Sequence, residues 1–466
     1  MRAYTYKYTV AAIYAVVLFL DKLDLTIVNI ALPAIADHFH ILVTETQWVN
    51  NAFLLALSVS IPISSWMGDR FGSKFIFMFA LMAFGLSSFL CALAPNISVL
   101  ISMRFVQGLS SGLIVPIGMT MVFRAFEPHE YASISSYIFI PSLLAPGLAP
   151  MLGGWIIQYI GWRWVFLFVT PVCIIIFTCA YWLLKEYRSP KHLPLDTKGF
   201  MYSATALLLL FHVLSVLGAQ WRSWQIWLEL LVALSLGYCF IRQEDACTTP
   251  LIHLDLFRKK LFIQANVIQT CFQIGHFGSI FIIAIYLQMK VGYSAMLAGM
   301  IMGMQAFGAI CSSRFSVKLF ELYTAKLPIS LGLTGVGLVT PLILTLNATS
   351  PVWVGFVILF VRGLVSGLCG APIQAIGISE FSNEQISQAA AAFNIVRQLA
   401  ISLGIALSAL LLNMAIPPDA VSSLITQDIS VFYAPFALIS IAVFCGVGVT
   451  LSTNKDTLMM NKGEDK

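Results

Sequence analysis

Fourteen long apolar runs joined by short polar links make up most of this chain. They fall at roughly 8–36, 46–67, 74–95, 97–123, 131–158, 163–184, 199–219, 224–241, 262–287, 294–316, 326–346, 352–378, 386–413 and 431–452. A helix needs about 20 residues to cross the hydrocarbon core, with a range of about 17–25, so each run predicts a transmembrane α-helix. An even number returns both termini to one side. Two longer charged links, Lys185–Lys198 and Arg242–Lys260, divide the series. They predict an N-terminal six-helix bundle over 1–184, an accessory helix pair with flanking loops over 185–260, and a C-terminal six-helix bundle over 261–466. The expected fold class is an all-α integral membrane protein.

Composition agrees. Of 466 residues, 59% are hydrophobic and only 10% charged, against about 25% charged in soluble domains. The first run is too long for a signal-peptide core and no small-residue cleavage site follows it, so it is expected to be retained. Of the 26 Lys and Arg, 19 lie in links on the side of the N-terminus and 3 (Arg163, Arg222, Lys290) on the other. The remaining 4, Lys22, Arg104, Arg362 and Arg397, are inside runs. That bias predicts cytoplasmic termini and a cytoplasmic (inner) membrane location. It also accounts for the net charge of +5 without a nucleic-acid partner. Eight of the nine cysteines sit in apolar runs and Cys247 in a link, with no CxxC pair or metal-type His/Cys spacing. They read as packing residues, and neither a metal nor another cofactor is expected.

Charges inside the runs carry the functional signal. A charge at the bilayer centre costs roughly 2.5–3.5 kcal/mol on insertion scales, so it turns inward and is paired or functional. Asp21 and Asp24 lie about 60° apart on a helix, with Lys22, Thr26 and Asn29 in an adjoining stripe. Either an ion pair locks this helix to a neighbour, or a protonatable carboxylate stands beside a translocation path. The fourth run of each half echoes the other: Arg104, Gln107, Gly108, Gly112 and Pro116, then Arg362, Gly363, Gly367, Gly370 and Pro372. The echo predicts an internal duplication with arginines at matching depth, although small residues also serve close helix packing. The ninth run holds Asn266, Gln269, Gln273 and His276 within an arc of about 80°. That face meets either a packed helix or, as preferred here, a central cavity. Asn394, Arg397, Gln398 and Ser402 share about 140° of the thirteenth run. His212, in the accessory pair, reads as a hydrogen-bonded packing histidine.

The same residues form motifs. Leu23 through Pro33 match L-D-x-T-I-V-N-x-A-L-P. Asp69-Arg70-Phe71-Gly72-Ser73-Lys74 match the end of G-x-x-x-D-R-x-G-x-K, with Ser65 for the leading glycine and Ser73 where a second cation is usual. Arg104, Gln107 and Gly108 match R-x-x-Q-G, and Ala149-Pro150-Met151-Leu152-Gly153-Gly154 match G-P-x-L-G-G with Ala149 for the first glycine. Over nearly its whole length the chain resembles the major facilitator superfamily, specifically its fourteen-helix branch of drug:proton antiporters. The resemblance implies two six-helix bundles plus two accessory helices. Asp24 is the expected proton acceptor, held ionised by Arg104; Asp21–Lys22 departs from the family pattern and reads as a second titrating pair or a neutral structural one. Asp69, Arg70, Gly72 and Lys74 would gate the cytoplasmic side, with a latch weakened by the missing cation. Gly108, Gly112, Pro150, Gly153 and Gly154 would supply gating and hinge positions. The substrate cavity would draw on Thr26, Asn29, Gln107, Gln269, Gln273, His276, Arg362, Asn394, Arg397 and Gln398.

These readings predict a proton-driven antiporter, without a cofactor, that exports small amphipathic molecules such as drugs or metabolites. Its partners are a small-molecule substrate, protons and membrane lipids, and the branch admits a periplasmic adaptor. The place to seek an adaptor contact is the longest outer loop, 414–430, with Asp419 and Asp428. Deep charges tilt the substrate class: four cations face two carboxylates, and unpaired arginines repel a cationic drug. An anionic metabolite or siderophore-like chelator is the alternative cargo, with import and lipid flipping as further alternatives. An ATP-driven pump is disfavoured by the absence of G-x-x-x-x-G-K-[ST], and an enzyme by the absence of HExxH and GxSxG.

Overall fold

A computed structural model describes residues 3–41, 43–188, 194–247, 250–251, 253–382, 385–415 and 429–453. These contain helices and no strands. In the first half run α1 (Ala3–Phe39), α2 (Val43–Phe71), α3 (Ser73–Ala92), α4 (Ile97–Ala125), α5 (Tyr131–Tyr159), the short α6 (Arg163–Leu167) and α7 (Val169–Leu183). The accessory pair is α8 (Thr197–Gln220) and α9 (Trp224–Ala246). Then come α10 (Lys260–Ile285), α11 (Ala295–Tyr323), α12 (Lys326–Val339), α13 (Val352–Ser366), α14 (Gly370–Ile378), α15 (Ile386–Ala415) and α16 (Tyr433–Ser452).

Local chemistry explains the short links. Asn96, Asp196 and Ser294 each accept a hydrogen bond from a first-turn N–H of α4, α8 and α11, at 2.9, 2.9 and 3.2 Å, which satisfies one of the orphan donors of each helix. Gly72 alone separates α2 from α3, at φ 107°, in the left-handed region that suits glycine. The run 352–378 is broken into α13 and α14. Pro372 has no N–H for the Leu368 carbonyl, and the Ser316 hydroxyl of α11 donates to that oxygen at 2.7 Å.

Twelve helices among the described residues are long and apolar enough to cross a membrane. The sequence reading of fourteen also counts α1 and α5, with 37 and 29 residues; the charges of Asp21, Lys22 and Asp24 dilute the apolarity of α1. The chain is a multi-pass membrane protein. Its apolar exterior matches that setting: Trp182, Ile175 and Leu231 are 76%, 64% and 62% exposed.

Helices α1 and α5 pack together, as do α2 with α4 and α3 with α4 and α7; later, α11 packs on α13 and α10 on α15 and α16. The two groups meet where α5 touches α11 and where α15 touches α2 and α4, and α8 lies over α2 and α15. Glycines bring the fourth helix of each group against its partner. A Cβ on Gly108 or Gly112 would overlap the backbone of Phe53 or Leu57 and the Ser60 hydroxyl. One on Gly363 or Gly367 would overlap Gln305 or Ala309 and the Ser312 hydroxyl. Phe53, Leu57 and Ser60 each stand 252 residues before Gln305, Ala309 and Ser312, and the glycines are 255 apart. This register corrects the expectation of arginines at matching depth. Arg362 corresponds to Gln107, and the counterpart of Arg104 is Leu359. The two arginines are offset by about one helical turn.

Candidate functional site

Three side chains from α1 and α4 form a closed unit. The Arg104 guanidinium donates to Asp24 Oδ2 at 2.6 Å and to Gln107 Oε1 at 2.7 Å, and Gln107 Nε2 donates to Asp24 Oδ1 at 3.2 Å. Arg104 Nε donates to the Val49 carbonyl of α2 at 3.2 Å, and the cation lies 4.4 Å from the centroid of the Phe53 ring. Asp24, Arg104 and Gln107 are 0% exposed. Breaking such a pair is expensive because a buried charge loses its compensation. The spacing does this: Arg104 and Gln107 are three apart on α4 and present one face to Asp24.

One turn away, Asp21 accepts from the Ser111 hydroxyl and from Lys22 Nζ, the latter at 2.8 Å. Lys22 reaches a pocket of about 10 Å³, which holds about one water. Ser111, Gly112 and Pro116 of α4 line it from one side and Asn394, Arg397 and Gln398 of α15 from the other. Arg397 has no ion-pair partner among the described residues. Asn394 Nδ2 donates to Ala390 O at 2.8 Å and contacts Met119 Sδ of α4 at 3.2 Å, leaving its Oδ1 without a donor. The expected Lys22, Asn394, Arg397 and Gln398 thus converge.

Other expected cavity residues stand elsewhere. Thr26 donates to its own helix at Lys22 O, 2.8 Å away. The side chains of Asn29 and Pro150 lie outside the described residues, as does most of the 414–430 loop with Asp419 and Asp428. Gln269, Gln273 and His276 are buried in helix contacts rather than on the pocket wall: Gln269 Nε2 donates to Phe393 O of α15 at 3.0 Å. The packed-helix alternative describes this stripe in the present conformation. Arg362, 0% exposed, donates to Gln305 of α11, to Ser279 of α10 and to Thr340 Oγ1, the last at 2.9 Å. No carboxylate among the described residues pairs with it. Buried Asn266 Oδ1, Gln273 Oε1, Gln374 Oε1 and His276 Nδ1 meet no hydrogen-bond partner among the described residues.

The α2–α3 turn forms a second cluster. Arg124 of α4 donates to Asp69 at 3.0 Å and lies 4.0 Å from the Tyr187 ring centroid. Glu186 accepts from the N–H groups of Lys74 and Phe75, both at 3.0 Å, capping α3, and Ser73 N–H donates to Tyr187 O at 2.9 Å. Lys74 Nζ reaches the Tyr181 and Leu184 carbonyls at 2.6 and 2.8 Å, and Arg70 stacks on Trp66 at 5.4 Å. The Gly72 turn and Lys74 are therefore tied to the exit of α7 by Glu186 and Tyr187, which the sequence reading missed; Asp69 joins them through Arg124, and Arg70 packs on Trp66 and Phe71 of its own helix. Gly72→Ala is expected to lower the thermal unfolding temperature by more than Glu186→Ala. The first forces a side chain into φ 107° with Glu186 Cδ 2.5 Å from the new Cβ, whereas the second removes a cap of about 0.5–2 kcal/mol. Unfolding monitored by intrinsic fluorescence checks the order.

The hinge positions differ in surroundings. Gly153 faces Ile27 of α1, where a Cβ would come 2.7 Å from Ile27 Cγ1, whereas Gly154 has nothing within 4 Å. The close approach between the two halves falls instead at Gly147 of α5 and Gly303 of α11, 3.4 Å from a Cβ on Gly303 to the Gly147 carbonyl oxygen. That pair carries no motif and is visible only in three dimensions.

Comparison with known proteins agrees with this architecture. The family description Major Facilitator Superfamily matches residues 14–405. The chain is 28% identical over 403 residues to "Multidrug resistance protein B homolog" of Mycobacterium tuberculosis, covering 84% of this chain and 73% of that one. It is 26% identical over 409 residues to "Probable transport protein HsrA" of Haemophilus influenzae, covering 87% of each. In fold it is similar to the proton:xylose symporter XylE, with a TM-score of 0.63, 13% identity and coverage of 96% of this chain and 95% of that one. The chain belongs to the Major Facilitator Superfamily and is a multi-pass membrane transporter.

Proposed function

We propose that this transporter exports small amphipathic molecules, such as drugs or metabolites, in exchange for protons across the cytoplasmic membrane, with both termini in the cytoplasm. The observation that carries the reading is the Asp24–Arg104–Gln107 unit, wholly buried next to the pocket between α4 and α15. A carboxylate on one helix held by a cation on another is an α1–α4 clasp whose strength depends on one proton. With Asp24 ionised, Arg104 is held; with Asp24 neutral, Arg104 keeps Gln107 and Val49 O and the clasp slackens. Ser111 and Lys22, one turn away on the same helices, pass the change to the pocket wall. Each proton moving inward supplies about 2.3 kcal/mol per 100 mV, more than the roughly 1.4 kcal/mol of a tenfold gradient. The similarity to a relative named for multidrug resistance supports export.

A second reading concerns cargo charge. Lys22 and Arg397 face one pocket with Asp21 as its nearby carboxylate, and Arg362 is buried among neutral acceptors. That balance favours an organic anion, such as a carboxylate metabolite or siderophore-like chelator, over a lipophilic cation. Substrate-induced proton release from acidified inside-out vesicles separates the cases. Release by amphipathic carboxylates alone supports the anion reading, and release by lipophilic cations overturns it. Silence from both moves the account to import or lipid flipping.

A further inference from the structure

A groove of about 650 Å³ opens between α1, α5 and α7, lined by Tyr8, Ala12 and Ile13, by Tyr137, and by Cys179 and Leu183. Its size is within the roughly 300–1,000 Å³ of small-molecule sites. It lies on the outer face of the bundle, with Tyr8 and Tyr137 40% and 50% exposed, and runs along the end of the membrane-crossing segment Arg163–Leu183. An apolar trough with phenols near one end matches the boundary between hydrocarbon and headgroups.

The rim is cationic. Lys185, two residues past Leu183, is fixed beside the start of α1: its N–H donates to Tyr6 Oη at 3.1 Å and its Nζ lies 5.0 Å from the Tyr6 ring centroid. Arg188 is exposed three residues further on, past the end of α7. The neighbouring carboxylates are engaged elsewhere, Glu186 at the start of α3 and Glu130 with Lys7. Neither Lys185 nor Arg188 has an ion-pair partner among the described residues. An exposed lysine beside the Tyr8–Leu183 end of a lipid-facing trough complements a phosphate joined to an acyl chain, the arrangement by which juxtamembrane cations select anionic lipid.

We propose that this groove binds one acyl chain of an anionic glycerophospholipid, with the phosphate held by Lys185. The test uses the purified full chain in detergent, with lipid retention read by native mass spectrometry for dioleoyl phosphatidylglycerol and dioleoyl phosphatidylethanolamine. Phosphatidylglycerol is expected to be retained in preference, by about fivefold. Lys185→Gln, at an exposed position, removes about that factor, and Ala12→Trp, which fills the trough, lowers retention of both lipids. Equal retention of the two lipids by the wild type overturns the proposal, as does an undiminished preference in Lys185→Gln. Glycerol 3-phosphate competing as well as the whole lipid, or unchanged retention in Ala12→Trp, overturns the acyl-chain site.

Discussion

Asp24→Asn is expected to reach the membrane at wild-type level, to exchange substrate down its gradient, and to lose accumulation driven by the proton gradient. Removing the carboxylate leaves Arg104 buried without a counter-ion, a change that commonly costs about 3–5 kcal/mol. This chain already holds a buried arginine in neutral surroundings, because Arg362 is satisfied by Gln305, Ser279 and Thr340. The substituted amide keeps an acceptor oxygen for Arg104, and Gln107 and Val49 O supply two more. The variant thus mimics protonated Asp24, a state through which the proposed cycle passes. Immunodetection of protein level, with counterflow and gradient-driven uptake in vesicles, separates these outcomes. Retained uphill transport would remove Asp24 from the coupling.

Gly108→Ala is expected to be the most damaging single-methyl change, with little folded protein recovered. The new Cβ meets the Phe53 carbonyl group, not the end of a movable side chain. Relief requires α2 and α4 to separate, which displaces the Val49 carbonyl and Phe53 ring that hold Arg104. Overpacking typically costs about 1–3 kcal/mol, and a clash with main chain lies at or beyond the upper end. Gly154→Ala on α5 adds the same atom with nothing within 4 Å and is expected to leave yield and unfolding temperature unchanged. Size-exclusion profiles and thermal unfolding of the two variants check the contrast. Equal behaviour would mean that α2 and α4 do not approach closely at Gly108.

The apolar runs could be read from the sequence because bilayer thickness sets helix length, and Asp24 with Arg104 because a charge in hydrocarbon needs a partner. Long-range register was not legible. Matching arginine to arginine aligns the repeats by residue type, whereas the structure aligns them by the glycines that touch α2 and α11, putting Arg362 opposite Gln107. The run 352–378 reads as one helix in the sequence; its break before α14 is supported by Ser316 on the Leu368 carbonyl, 52 residues away in sequence. The polar arc of α10 shows which face is buried and not what covers it; α15 and the Arg362 cluster do. Glu186, 112 residues from Lys74, belongs to no periodic pattern.

In the proposed cycle Asp24 carries the coupled proton. The most direct test of this role is proton flux in reconstituted vesicles with an imposed pH gradient, recorded on substrate addition for wild type and Asp24→Asn at matched protein density. A substrate-dependent proton movement is expected in the wild type and none in Asp24→Asn, although the variant still exchanges labelled substrate. An equal proton movement in both would contradict that role.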